Sequence, residues 1–243
     1  MNHGFKMKSI LLVGTLLFCI GVIAQSPHTN FSLATGVMKV LNTDEAISPY
    51  VLKDISGLFR VAASRQKILS EHNLQFSFGS LTLKSDNPDM YNVPSQFYFL
   101  QYAFQRQILT KKRTLLWVGP ALSTYAFIRQ ANYTTTGEFI GSLEFRIQAL
   151  RALSKMSNAG VGINLPVVSS LVHRNYGLSE FDSEIVSWGK FRSFQLQFIY
   201  LLTLSNHFDF ILGYDLLYYN YKFEETVITT NQQFYCGLRI NIK

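Results

Sequence analysis

The sequence is short of the groups that make a soluble surface or a covalent staple. Only 15% of its 243 residues are charged, against about 25% in an ordinary soluble domain. Part of its surface must therefore meet something other than water. It has two cysteines. Cys19 lies in the N-terminal apolar run, so Cys236 has no intrachain partner and a disulfide scaffold is excluded. After that first run there is no second long apolar stretch. Leu115 to Ile128 comes closest, but Gly119, Pro120, Ser123 and Thr124 interrupt it, which excludes a bundle of membrane helices. Metal-ligand spacings, phosphate-binding loops and nucleophile elbows are missing too. No cofactor is expected, and the mild basic excess forms no nucleic-acid patch.

What is present begins with an export signal. Lys6 and Lys8 precede the apolar stretch Ile10 to Ile23, and Val22-Ile23-Ala24 supplies small residues at the two positions that specify cleavage. This is the form of a secretory signal peptide over residues 1–25. The apolar stretch is shorter than the roughly 20 residues a spanning helix needs.

Residues 26–243 then repeat one pattern, segments of about 10–15 residues in which apolar and polar side chains alternate. Phe194, Leu196, Phe198, Tyr200, Leu202 and Leu204 oppose Gln195, Gln197 and Thr203. Tyr98, Leu100, Tyr102 and Phe104 oppose Gln101 and Gln105, and Phe139, Leu143, Phe145 and Ile147 oppose Ser142, Glu144, Arg146 and Gln148. Phe208 to Tyr218 and Phe234 to Ile242 do the same against Asp209, Asp215, Arg239 and Asn241. A period of two means strands with one apolar and one polar face. Ten such segments are expected, near 30–41, 53–65, 72–85, 96–109, 114–128, 138–150, 158–172, 188–204, 207–222 and 231–243. Soluble sandwich strands average about 5–6 residues, whereas membrane strands run about 9–11, apolar toward lipid and polar toward the lumen. The pattern predicts an all-β, transmembrane, antiparallel up-and-down β-barrel of about 10 strands. Pro120 and Pro166 fall inside predicted strands, so bulges are expected there, or else a count of eight or twelve.

The connections alternate in length. Those at 42–52, 86–95, 129–137, 173–187 and 223–230 are long, and those at 66–71, 110–113, 151–157 and 205–206 are short. Acids such as Asp44, Glu45, Asp86, Asp89, Glu138 and Glu184 gather in or beside the long set, while Lys67, Lys111, Lys112, Arg113, Arg151 and Lys155 mark the short one. Long extracellular loops and short periplasmic turns place both termini in the periplasm.

On these features the chain resembles the small outer-membrane β-barrel proteins of Gram-negative bacteria, and its Ala24-Gln25 junction looks like signal-peptide ends common in the Bacteroidota. The C-terminal strand resembles their insertion signal. Tyr235, Gly237, Ile240 and Ile242 keep its spacing, with isoleucines in place of the usual aromatics and a final Lys243. The resemblance implies outer-membrane lipid as surroundings and a barrel insertase as partner during biogenesis. A further outer-membrane or periplasmic protein is a candidate partner, and nucleic acid is not.

A barrel of this size has a narrow interior. The expected lumen network is Arg60, Gln101, Gln105, Glu144, Arg146, Gln195, Asp215 and Arg239, with Ser64, Gln148, Asn164, Gln197, Asp209 and Asn241 on the same face. Charges of both signs there read as a side-chain plug, which favours a structural or partner-binding component. Tyr176, Phe181 and Trp188 in the longest connection are its candidate contact residues. The alternatives are a narrow channel or transporter for small solutes and a membrane-embedded lipid hydrolase. For the hydrolase, His173 near Ser169 and Ser170 offers the nearest approach to catalytic residues. Asp209 and Asp215 stand roughly 20 Å apart at the usual rise, too far for a carboxylate pair.

Overall fold

The computed structural model closes the chain into a single antiparallel ring. It describes residues 29–45, 48–85, 87, 92–131, 134–174, 182–187, 191–222 and 226–242; the expected signal peptide lies outside them. In chain order the strands are β1 (Thr29–Asp44), β2 (Ser48–Gln66), β3 (Ser70–Ser85), β4 (Val93–Lys111), β5 (Thr114–Ala131), β6 (Thr134–Ala152), β7 (Ser157–Arg174), β8 (Asp182–Ser187), β9 (Phe191–Thr203), β10 (Phe208–Lys222) and β11 (Thr226–Ile242). Each pairs with the next, except that β7 pairs with both β8 and β9 and no ladder joins β8 to β9 among the described residues; β1 meets β11 along its whole length, from Thr29 with Ile242 to Asp44 with Val227. The β1–β11 seam closes the ring, so the donors and acceptors of its paired ladders are met without water. β8 and β9 occupy one place in the ring: β9 pairs with β7 over Ser157–Asn164 and β8 over Val168–His173. Together they are the eighth stave of a ten-stranded barrel.

Most strands are longer than the alternation predicts, chiefly toward the end opposite the termini, here called the loop end, while β9 and β10 are slightly shorter. β2 starts at Ser48 and β11 at Thr226. The connections read as 42–52, 129–137 and 223–230 are therefore mostly strand, and the predicted loop 173–187 contains β8. The cause is an inversion of the apolar face. In the half nearer the termini, Leu33, Phe59, Leu100, Tyr102, Phe104, Leu122, Phe145, Leu212, Leu238 and Ile240 face outward and are exposed. Such a belt greatly exceeds the apolar patches of water-soluble surfaces and fits lipid. Toward the loop end the outward positions become Lys39, Lys53, Lys84, Arg192 and Lys222, all exposed, while Val40, Leu52, Leu83, Phe97, Phe127 and Tyr221 turn inward and are buried. There the barrel has risen clear of the lipid and its interior is an ordinary hydrophobic core.

Both interior prolines sit where the ladder tolerates a missing donor. Beside Pro166 the β6–β7 register steps from Leu143–Val168 to Glu144–Pro166, which leaves Val167 as the bulged residue. Opposite Gly119 and Pro120 the β4–β5 ladder has no pair between Ala103–Ala121 and Arg106–Val118.

Two glycines permit close approach. Gly213 of β10 lies against the Tyr235 ring, and a Cβ there overlaps that ring. Gly237 of β11 pairs with Ala34 of β1, where a Cβ stands 2.6 Å from the Ala34 Cα and collides with the Leu33 carbonyl. A ring swings aside more easily than a backbone. Gly237→Ala is therefore expected to cost more than Gly213→Ala, each within about 1–3 kcal/mol. The midpoint of heat-modifiable gel migration measures both, and an equal midpoint for Gly237→Ala and wild type contradicts the close seam.

Candidate functional site: the lumen

Alternation places one side chain in two inside the barrel, and the inner residues form three levels. At mid-height Arg146 of β6 is the hub. Its Nη1 donates to Gln101 Oε1 at 2.7 Å and Asn164 Oδ1 at 3.3 Å, and its Nη2 to Gln197 Oε1 at 2.6 Å and Gln148 Oε1 at 3.4 Å. A guanidinium only donates, so these contacts fix which end of each amide is oxygen. Gln101 then donates through Nε2 to Glu144 and to Gln195 Oε1, and Gln195 also accepts from Asn164 Nδ2 at 2.7 Å. Gln197 donates to Asp215 and to Gln75 Oε1. Glu144 further accepts from Ser123 at 2.5 Å and Tyr125 at 3.1 Å. Asp215 closes the level by pairing with Arg60, whose guanidinium lies 4.1 Å from the Tyr235 ring centre. Every strand from β2 to β11 except the short β8 contributes to this level.

The loop end is capped. Arg129 of β5, fully buried, bridges Glu138 of β6 and Asp44 of β1, the latter at 2.9 Å, and donates to Asn42 Oδ1. Asn42 passes a bond on to Thr229 of β11 at 2.8 Å. Phe127, Phe191, Tyr219 and Tyr221 pack beside this cluster, with ring centres about 5–6.5 Å from a neighbour. Asp44 and Glu138, expected among loop acids, are lumen groups holding the cap together.

The turn end is open. Below the hub lies a cavity of about 200 Å³. One wall is polar, with Asn30, Ser64, Glu71 and Asn73, and the facing wall is apolar, with Trp117, Leu150, Ile199 and Leu201. Arg239 at its edge holds Asp209 through Nε and Nη2 at 2.8 and 2.5 Å, and Asn241 adds a bond to the same oxygen. The lumen is therefore filled in its upper half only, where the sequence suggests a plug throughout.

The expected network residues divide accordingly. Arg60, Gln101, Glu144, Arg146, Gln195 and Asp215 are brought together, with Gln197 and Gln75 as links the sequence reading undervalued. Arg239 belongs to the turn end, and neither amide atom of buried Gln105 has a partner among the described residues. Tyr235 and Gly237 face inward, whereas Ile240 and Ile242 lie exposed on the outer wall. Tyr176, Phe181 and Trp188 fall outside the described residues. So does any account of the His173 side chain, although its backbone pairs with Glu138. Among the described residues no three His, Cys, Asp or Glu side chains are placed to hold a metal ion.

No protein-family model matches the sequence, and no curated protein matches it. Solved structures do. The outer membrane protease OmpT from Escherichia coli superposes with a TM-score of 0.65 at 8% identity, covering 89% of this chain and 97% of that one. The Neisserial surface protein A covers 86% and 96% at 9% identity, with a TM-score of 0.41. The translocator domain of the autotransporter NalP from Neisseria meningitidis covers 98% and 97% at 8% identity, also at 0.41. At these identities the likeness concerns the fold, which is that of the small antiparallel outer-membrane β-barrels of Gram-negative bacteria.

Proposed function

We propose that the protein is a narrow, gated and non-catalytic conduit for small polar solutes, set in the outer membrane with both termini in the periplasm. The observation that carries this reading is a polar rail along β11. Its inward residues from the cap downward are Thr229, Asn231, Gln233, Tyr235, Gly237, Arg239 and Asn241. Asn231 Oδ1 and Gln233 Oε1 are buried without a protein partner among the described residues, as are Ser77 Oγ and Gln75 Nε2 on β3. Buried polar atoms of this kind are met by water, and the succession along β11 favours a water file between the cavity and the Arg129 cap. A barrel serving only as a structural component has no need of them.

Reconstituted in planar bilayers, wild-type protein is expected to conduct weakly. Arg129→Ala should raise the conductance at least about tenfold (a gate contribution of about 1.4 kcal/mol), and adding Asn231→Trp should remove it. Silence in both wild type and Arg129→Ala, with normal heat-modifiable migration, rejects the conduit and leaves the second reading, a structural or partner-binding barrel, which the packed upper lumen favours.

A further inference from the structure

The turn-end cavity holds two charges that no opposite charge touches. Of the four charged side chains lining it, Arg60 is bound to Asp215 and Arg239 to Asp209. Arg146 has only amide oxygens as hydrogen-bond partners and its Nε has none, although Glu71, Asp215 and Glu144 act on it electrostatically. Glu71 makes no side-chain hydrogen bond or ion pair among the described residues, although Arg146 and Arg239 both act on it electrostatically. Glu71 sits at the turn end of β3, where Gln66 is its partner on β2, and Arg146 lies at mid-height in the network. One positive and one negative group thus border the same 200 Å³ space and attract each other across it without a hydrogen bond or ion pair. Partly desolvated charges left apart in this way are costly unless something of matching polarity lies between them.

We propose that this cavity binds a small zwitterion with an apolar side chain, an amino acid of about leucine's size. The carboxylate lies toward Arg146 and Arg60, the ammonium toward Glu71, and the side chain against Trp117, Leu150, Ile199 and Leu201. The dimensions agree, since a cavity of roughly 150 Å³ accepts benzene and this one is somewhat larger. A simple anion meets Glu71 as a like charge, and a simple cation meets Arg60, Arg146 and Arg239. A molecule carrying both charges satisfies both walls. The assignment deepens the conduit reading by naming what the periplasmic vestibule admits, but it is a statement about binding and is tested without conduction.

The test uses full-length mature barrel in detergent, titrated with L-leucine, with isoamylamine (which lacks the carboxylate) and with 4-methylpentanoate (which lacks the ammonium). Heat release and Trp117 fluorescence are the readouts, in a Trp188→Phe background. L-leucine is expected to bind saturably and at least tenfold more tightly than either analogue. Glu71→Gln should weaken L-leucine at least tenfold while leaving 4-methylpentanoate equal or tighter, a split that general structural damage does not produce. Leu201→Trp, which fills the cavity, should abolish binding with normal gel migration. Three results overturn the assignment: no saturable leucine binding by folded protein, an analogue binding as tightly as leucine, or leucine binding unchanged by Glu71→Gln. Any of these with the conductance described above intact removes the ligand and leaves the conduit.

Discussion

Arg129→Ala should destabilise the barrel by about 3–5 kcal/mol, among the largest losses from any single substitution in the lumen. The side chain is fully buried and neutralises two buried carboxylates, Asp44 and Glu138, on strands that flank it in different parts of the ring. Its loss leaves both acids in a packed aromatic setting beside Phe127, Phe191 and Tyr219. Water reaches them only from below, along β11, because Phe127, Phe191, Tyr219 and Tyr221 pack beside them. Urea unfolding in phospholipid vesicles reads the loss. Arg129→Lys should recover only part of it, since one ammonium cannot span two carboxylates as a planar fork does. Arg146→Ala orphans more hydrogen bonds but should cost less, about 1–3 kcal/mol, because water from the open cavity can take the vacated place. A cost for Arg146→Ala equal to or above that of Arg129→Ala contradicts the contrast between a sealed and an open end.

The Arg60–Asp215 pair should behave differently when it is removed in halves or whole. Asp215→Leu leaves a buried guanidinium with only the Tyr235 ring beneath it, and Arg60→Met leaves a carboxylate with Gln197 and Tyr235 as remaining donors. Breaking such a pair from one side costs about 3–5 kcal/mol, whereas apolar replacement of both partners is often neutral. The double variant is therefore expected within about 1 kcal/mol of wild type. Because Gln197 and Tyr235 still hold the surviving acid, Arg60→Met should be the milder single change. Additive losses in the double variant contradict a direct, desolvated pair.

How far the sequence reveals this molecule depends on where the chain meets lipid. Within the membrane the apolar face points outward and the polar face inward, and Phe194 to Leu204 or Tyr98 to Phe104 show it plainly. At Met38, Leu81, Phe97 and Tyr219 the rule reverses, because the wall has left the lipid and the lumen has become the core. The alternation continues through this crossover with its faces exchanged. A reading that equates apolar with outward ends each strand there and assigns the rest to loops. The same reversal hides the cap, since Asp44, Arg129 and Glu138 then read as loop charges instead of inward-facing groups. The hub was more accessible, because Gln101, Glu144, Arg146, Gln195 and Asp215 lie on segments whose polar face is plainly the lumen. Gln197 and Gln75 stand on the same face, but their linking role follows from which amide ends Arg146 commands, a relation between strands far apart in sequence. That Glu71 faces Arg146 and Arg239 across the cavity without an ion pair is likewise invisible without the ring in place.

The central claim is a lumen open to the periplasm and sealed toward the exterior. Its most direct test is one-sided labelling with a membrane-impermeant maleimide in a Cys236→Ser background, comparing Asn73→Cys in the cavity with Lys84→Cys on the outer wall at the loop end. In intact cells Lys84→Cys should label and Asn73→Cys should not, while opening the periplasm to the reagent should label Asn73→Cys as well. Labelling of Asn73→Cys from outside intact cells, or its protection from the periplasmic side, contradicts the account.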